Sequence, residues 1–425
     1  MRTLLCVAAA IAAACSTAPV QAATVAISCG AVGGELELCR DGAQAWARRT
    51  GHAVRLVSTP SSGTERLALY QQLLAARAPD LDVLQIDVVW PGILAPHLLD
   101  LTAAASEVGG DHATGLVGNN TVGGRLVAIP WFVDVGLLYY RRDLLAKYGI
   151  EVPRTWPELT AAADRIQRAE RGTGASRLWG FVFQGRAYEG LTCNALEWLA
   201  SHGAGTVIDS AGRITVNSPA AQRAIALAAS WIGTISPRGV LNYSEEEARG
   251  VFQSGQAVFM RNWPYAWALL QDDTSPVRGR VGVTTLPAGP DGRPAAALGG
   301  QQLAVSRYSR SPQAAISLAL FLASRAEQKR RAIAGGYHPT LPALYQDPEI
   351  VAASPLFAIL GEALAYAVAR PSSITGPAYN RVSYAFANAV HATLAGQSDA
   401  ATSVRTLERQ LRRLQRRGAW AGERP

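Results

Sequence analysis

Residues 125–140, RLVAIPWFVDVGLLYY, carry one carboxylate, Asp134, in a run that is otherwise apolar or aromatic from Leu126 onward. The run reads as two extended segments joined at Pro130, and as a central crossing of the chain near 130–140. An ionised carboxylate in such surroundings is costly unless it is well paired. Asp134 therefore has either an internal partner, such as an arginine, or a polar ligand. At a crossing between two lobes, the ligand is the better account.

Two lobes are expected on length alone, because 425 residues exceed what one hydrophobic core usually organises. The pattern alternates strands and helices, which argues for α/β layers around largely parallel sheets. ATVAISC (23–29) and DVLQID (82–87) read as strands, Glu35–Arg49 as a helix, and RDLLAKYG as a short helix ended by Gly149. TWPEL (155–159) is a helix start in which Thr155 caps and Glu158 completes a capping box. A helix-rich region from about 155 to 275 follows, then strand-like RVGVTTLP and GGQQLAVSRYS, then helices. The first lobe is thus expected from residues 23–133 plus 284–336, and the second from 134–283 plus 337–425.

The first 22 residues read as a signal peptide. Arg2 is its positive end, and Leu4–Ala14 are an apolar stretch too short to span a bilayer. Cleavage after Ala22 would release a free periplasmic or exported protein. The alternative is a lipoprotein box ending at Cys15, which would leave it lipid-anchored. In an oxidising compartment Cys29 and Cys39 could form a small-loop disulfide, leaving Cys193 as a lone buried thiol. The net charge of +8 is almost all arginine and scattered, so no nucleic-acid surface is expected. The exception, RQLRRLQRR at 409–417, belongs to an amphipathic helix with Val404, Leu407, Leu411 and Leu414 on one face, expected to dock on the protein itself. The six histidines show no ligand spacing, so neither metal nor cofactor is expected.

The remaining candidates sit at strand and helix ends. Asp87 closes an apolar strand, where ligands of open α/β sheets collect. Glu35 opens a helix, a place where acids are common for dipole reasons alone. Arg66 and Arg370 are either surface arginines or fork-shaped donors to hydroxyls. In MRNWPYAW (260–267), Pro264 at the first helical position would put Trp263 and Trp267 on one helix face. Trp267 then belongs to the core, and Trp263 at the turn is the better platform for a flat apolar ligand face. Carboxylates and arginines that take hydroxyl hydrogen bonds, combined with rings for a C–H face, suit a neutral polyhydroxylated ligand. Motifs for a serine nucleophile, a phosphate loop, a zinc protease or a Cys-x-x-Cys centre are absent.

GRLVAIPWFVDVGLLYYRRDLLAKYGIEVPRTWPEL resembles the signature of extracellular solute-binding proteins of ABC sugar importers. FQGRAYEGLTCNALEW, FMRNWPYAW and ALGGQQLAVSRYS resemble the trehalose/maltose-binding branch. The resemblance spans essentially the whole mature chain. It implies a two-lobed periplasmic binding protein fold of type II, with a ligand cleft between lobes joined by hinge crossings. It also implies a monomer that captures maltose or trehalose without chemistry and delivers it to membrane permease subunits. The sugar-binding positions it carries over are Glu35, Arg66, Asp87, Asp134, Trp263, Tyr265, Gly299, Gly300, Arg370 and Tyr379. Phe132 stands where that branch often has a hydroxylated aromatic, Gln301 where relatives have tryptophan, and the segment PSSITGPAYN is longer than usual. The rival reading is a secreted glycoside hydrolase that uses Asp87 and Asp134 as its carboxylate pair.

Overall fold

The computed structural model describes residues 22–106, 111–289, 293–353 and 356–420. The signal-peptide reading up to residue 21, with Cys15, lies outside these residues. Twelve strands are described: β1 (Thr24–Ser28), β2 (Ala53–Val57), β3 (Val83–Asp87), β4 (Thr121–Val122), β5 (Arg125–Leu126), β6 (Ile129–Val135), β7 (Leu137–Arg141), β8 (Trp179–Val182), β9 (Ala257–Asn262), β10 (Val281–Thr284), β11 (Ala296–Val305) and β12 (Ala367–Val368).

They make two main sheets. In the first, β1 lies parallel between β2 and β3, while β11 runs antiparallel to both β3 and β6 and meets β12 at its start. In the second, β7 is antiparallel to β9 and β10, and only β8 lies parallel to β9. The sheets are therefore mixed rather than largely parallel. The strands that carry the chain between lobes must enter and leave in opposite senses, and they pair antiparallel where they do so.

Within the stretch 130–140 expected to cross, the two extended segments join at Gly136, not at Pro130. β6 ends at Val135 in the first sheet and β7 begins at Leu137 in the second. Pro130 stays inside β6, opposite Gln302, beside a register shift between Gln301 and Gln302. A proline that cannot donate to a ladder is tolerated at such an irregularity. Gly136 is required by close approach: a Cβ there would lie 2.1 Å from Glu197 Oε1 and 2.7 Å from Arg261 Nη2.

Helices cover both sheets through ordinary amphipathic burial. The capping box predicted at Thr155 and Glu158 opens the helix Trp156–Gly172. The helix Ala400–Arg416 buries Val404, Leu407 and Leu411 on the protein's own surface, against the helices Tyr379–Leu394 and Pro219–Trp231. No helix among the described residues is long and apolar enough to cross a membrane.

Cys29 and Cys39 are bonded, tying the end of β1 to the helix Glu35–Thr50, and Cys193 is buried and free. Closing a loop of this length removes about 2–3 kcal/mol of chain entropy from the unfolded state. Reductant should therefore lower the thermal midpoint of the protein, and a Cys29→Ser, Cys39→Ser variant should start at the lowered value and be insensitive to reductant.

Candidate functional site

The strand ends of the first sheet face two helix starts, at Glu189 and Glu245, and one turn of the second lobe, and the space between them is a cleft of about 660 Å³ counting its open mouth. Glu35, Arg66, Asp87, Asp134, Trp263, Tyr265, Gly299, Gly300 and Arg370 all line it.

Asp134, the last residue but one of β6, lies directly across the ladder from Gly299. Part of it is open to the cleft, yet its Oδ1 is shut off from solvent and has no hydrogen-bond partner among the described residues. Burial, followed by the like charges of Glu35 and Asp87, pushes its pKa up to about 8, against opposing pulls from Arg331 and Arg261. The internal arginine partner that would have explained Asp134 without a ligand is not bonded to it. Glu35, the first residue of its helix, is buried and accepts from Gln85 Nε2 at 3.3 Å. Burial raises its pKa too, with Arg66 and Arg331 pulling the other way.

Arg66 is buried with its guanidinium over the Trp90 ring, 5.5 Å from the centroid. Among the described residues its guanidinium makes one long bond, Nη2 donating to Gln301 Oε1 at 3.5 Å, and Nε and Nη1 have no partner. Buried donors of this kind are costly unless something completes them. Arg370, by contrast, is a clamp. Its Nη2 donates to Asp87 Oδ1 at 2.9 Å, its Nη1 donates to Glu189 Oε1 at 2.7 Å, and the Leu298 carbonyl lies 3.3 Å from Nη2. One guanidinium thus bridges the end of β3 to the start of the second-lobe helix Glu189–Ser201. The cleft rim is bridged as well, by Arg186 on Glu65 at 2.6 Å and by the Glu189 N–H on Thr64 Oγ1 at 3.2 Å.

On the opposite wall Trp263 and Tyr265 follow β9. The helix there is Ala266–Leu270, so Pro264 precedes it instead of opening it, and Trp263 lies in the turn before it. This corrects the helical spacing assigned to Trp263 and Trp267: Trp263 lines the cleft while Trp267 packs against the core. Trp263 is backed by the Arg261 guanidinium, 3.9 Å from its ring centroid, and its Nε1 reaches Glu245 Oε1 at 3.4 Å. Tyr265 donates to Glu246 at 2.7 Å. Gly299 and Gly300 let the two walls approach. A Cβ on Gly299 would meet Trp263 at 3.1 Å and Asp134 at 3.2 Å, and Gly300 has φ +128° with the Phe132 carbonyl 2.5 Å from where a Cβ would stand.

Tyr379 is the exception among the expected residues. It is buried one layer behind the cleft wall, and its hydroxyl donates to Glu189, which also accepts from Ser383 Oγ at 2.6 Å. Glu189, Glu245, Tyr188 and Tyr337 line the cleft without having been singled out in the sequence. Glu189 and Glu245 each open a helix, as Glu35 does, and a first-turn glutamate is too common to signal a site by itself.

This fold and cleft define a two-lobed solute-binding protein. The chain belongs to the bacterial extracellular solute-binding proteins, whose family model matches residues 40–329. A Deinococcus radiodurans protein described as a probable ABC transporter-binding protein is 50% identical over 400 residues, covering 93% of this chain and 95% of its own. The maltose-bound MalE3 of T. maritima is similar in structure, with a TM-score of 0.88 and 41% identity, covering 92% of this chain and 100% of that one. The Bacillus subtilis maltodextrin-binding protein MdxE is 25% identical over 248 residues, 57% of this chain and 55% of its own. The chain is thus a sugar-type solute-binding component of an ABC transporter.

Proposed function

We propose that this protein captures an α-glucoside disaccharide, maltose or trehalose, between its lobes and hands it unchanged to the permease of an ABC importer, as a monomer in the periplasm or lipid-anchored at the cell surface. The observation that carries this reading is the set of unpaired, buried polar atoms, Asp134 Oδ1 and Arg66 Nε and Nη1, facing a cleft whose far wall is the Trp263 ring. Hydroxyls both donate and accept, so a sugar can complete the carboxylate and the guanidinium together while its C–H face covers the ring. The maltose-bound relative, alike over nearly the whole chain, supports the same ligand class. Each lobe is built round one of the two main sheets, and ligand contact with both favours the closed form.

In the hydrolase reading Asp87 would be the ionised partner of Asp134. Its Oδ1 accepts from Arg370 Nη2 at 2.9 Å, and because that guanidinium also holds Glu189, the carboxylate already serves as an anchor between the lobes. Titration calorimetry with maltose, trehalose, mannitol and longer α-glucans should give saturable heats with the disaccharides, and no glucose should appear on prolonged incubation. Absence of binding, or release of glucose, would overturn the proposal. Sugar should also change the tryptophan emission, and Trp263→Ala should remove most of that change and weaken binding roughly tenfold.

A further inference from the structure

One polar group on the cleft wall has no role in the contacts described so far. Tyr337 lines the cleft, is 3% exposed, and its hydroxyl is buried with no hydrogen-bond partner among the described residues. It follows the helix Arg325–Gly335, whose Arg331 guanidinium stacks on three rings, 3.7 Å from the Trp131 centroid, 4.8 Å from Tyr337 and 4.9 Å from Phe132. Phe132 and Tyr337 themselves meet edge to face at 5.0 Å. The ring of Tyr337 is thus held on two sides, and a held ring aims its hydroxyl.

The backbone says where. His338 bridges antiparallel to Val133, with the Val133 N–H donating to the His338 carbonyl at 3.0 Å. Continued by one residue, that register sets Tyr337 beside Asp134, and opposed residues of an antiparallel pair project from the same face. Phe132, two residues before Asp134, shares that face. The Tyr337 hydroxyl and Asp134 Oδ1, each without a hydrogen-bond partner among the described residues, therefore belong to opposed backbone positions and to the same cleft lining.

We propose that Tyr337 is a ligand-contacting, specificity-determining residue, which donates its phenol to a sugar hydroxyl whose own proton goes to Asp134. The inference rests on the disaccharide reading above and names the group that reads one position of that ligand. A single ligand hydroxyl satisfies both orphans, since it accepts from the phenol and donates to the carboxylate. An ether or a hydrogen at the same position satisfies at most one and leaves the other buried and unpaired.

The test is Tyr337→Phe, which keeps the ring under Arg331 and removes only the hydroxyl. Calorimetry should show about a tenfold loss of affinity for the sugar that the wild type binds, while the unliganded thermal midpoint stays the same or rises. Against a panel of monodeoxy disaccharides, one analogue should bind wild type and variant equally, because its missing hydroxyl is the one Tyr337 reads. Wild-type affinity in Tyr337→Phe, or the same variant penalty at every deoxy position, would overturn this inference and leave the disaccharide reading intact. A wild type that binds no sugar would overturn both.

Discussion

Asp134→Asn should weaken disaccharide binding by about 10- to 100-fold, as expected for losing hydrogen bonds to a charged group worth roughly 1.5–3 kcal/mol. The same substitution should make the unliganded protein more stable. In the fold, the Asp134 pKa is raised from its ordinary 3.8 to about 8, by burial and then by Glu35 and Asp87. A carboxyl whose folded pKa is raised contributes fully below its unfolded value, and that contribution is lost as pH rises through about 8. Above that, the folded protein carries the whole cost of a buried charge, and asparagine does not. The stability difference between variant and wild type should therefore be small near pH 4, grow between pH 4 and 8, and level off beyond.

Binding should follow the opposite course. A sugar that donates hydroxyls to Asp134 prefers the ionised form, so wild-type affinity should improve as pH rises toward about 8, with protons released on binding below it. Thermal melts and calorimetry across that range check both halves. A variant that binds sugar like the wild type, or that is less stable at pH 9, would remove Asp134 from the site.

How legible this site was depends on how unusual each residue looked locally. Asp134 stood out because nothing else in its run is polar, and the structure leaves its Oδ1 without a protein partner. Trp263 was legible because a proline beside it forces a turn, although the helix begins later than the spacing suggested. Glu189 and Glu245 were not legible, since a glutamate opening a helix already has a local explanation in the dipole, and only folding reveals that those helix starts converge. Tyr337 was invisible for another reason: its place depends on a backbone bridge to Val133 some 200 residues earlier, which no local pattern encodes. The join of the two extended segments was read at Pro130 instead of Gly136 on the same ground, because what demands the glycine is a buried ion pair brought there by two distant segments.

That ion pair carries the second large effect. Arg261 in β9 and Glu197 in the helix Glu189–Ser201 are both fully buried, with Arg261 Nε donating to Glu197 Oε2 at 2.9 Å and Nη2 donating to Oε1. Gln184 Oε1 accepts from Arg261 Nη1 at 3.2 Å, and the Ala297 N–H donates to Glu197 at 3.0 Å. Glu197→Ala leaves a buried guanidinium uncompensated, which typically destabilises by about 3–5 kcal/mol, and should appear as a large fall in the thermal midpoint. Replacing both partners by apolar residues, Glu197→Leu with Arg261→Met, should recover much of that loss, because no charge is then left unpaired. Sugar affinity should not recover with it. The guanidinium that disappears is the one backing the Trp263 ring, and the carboxylate that disappears anchors β11 just before Gly299. Stability and affinity would thus separate in the double variant. If affinity returned with stability, the pair would be holding the fold alone, and Trp263 would owe its position to something other than Arg261.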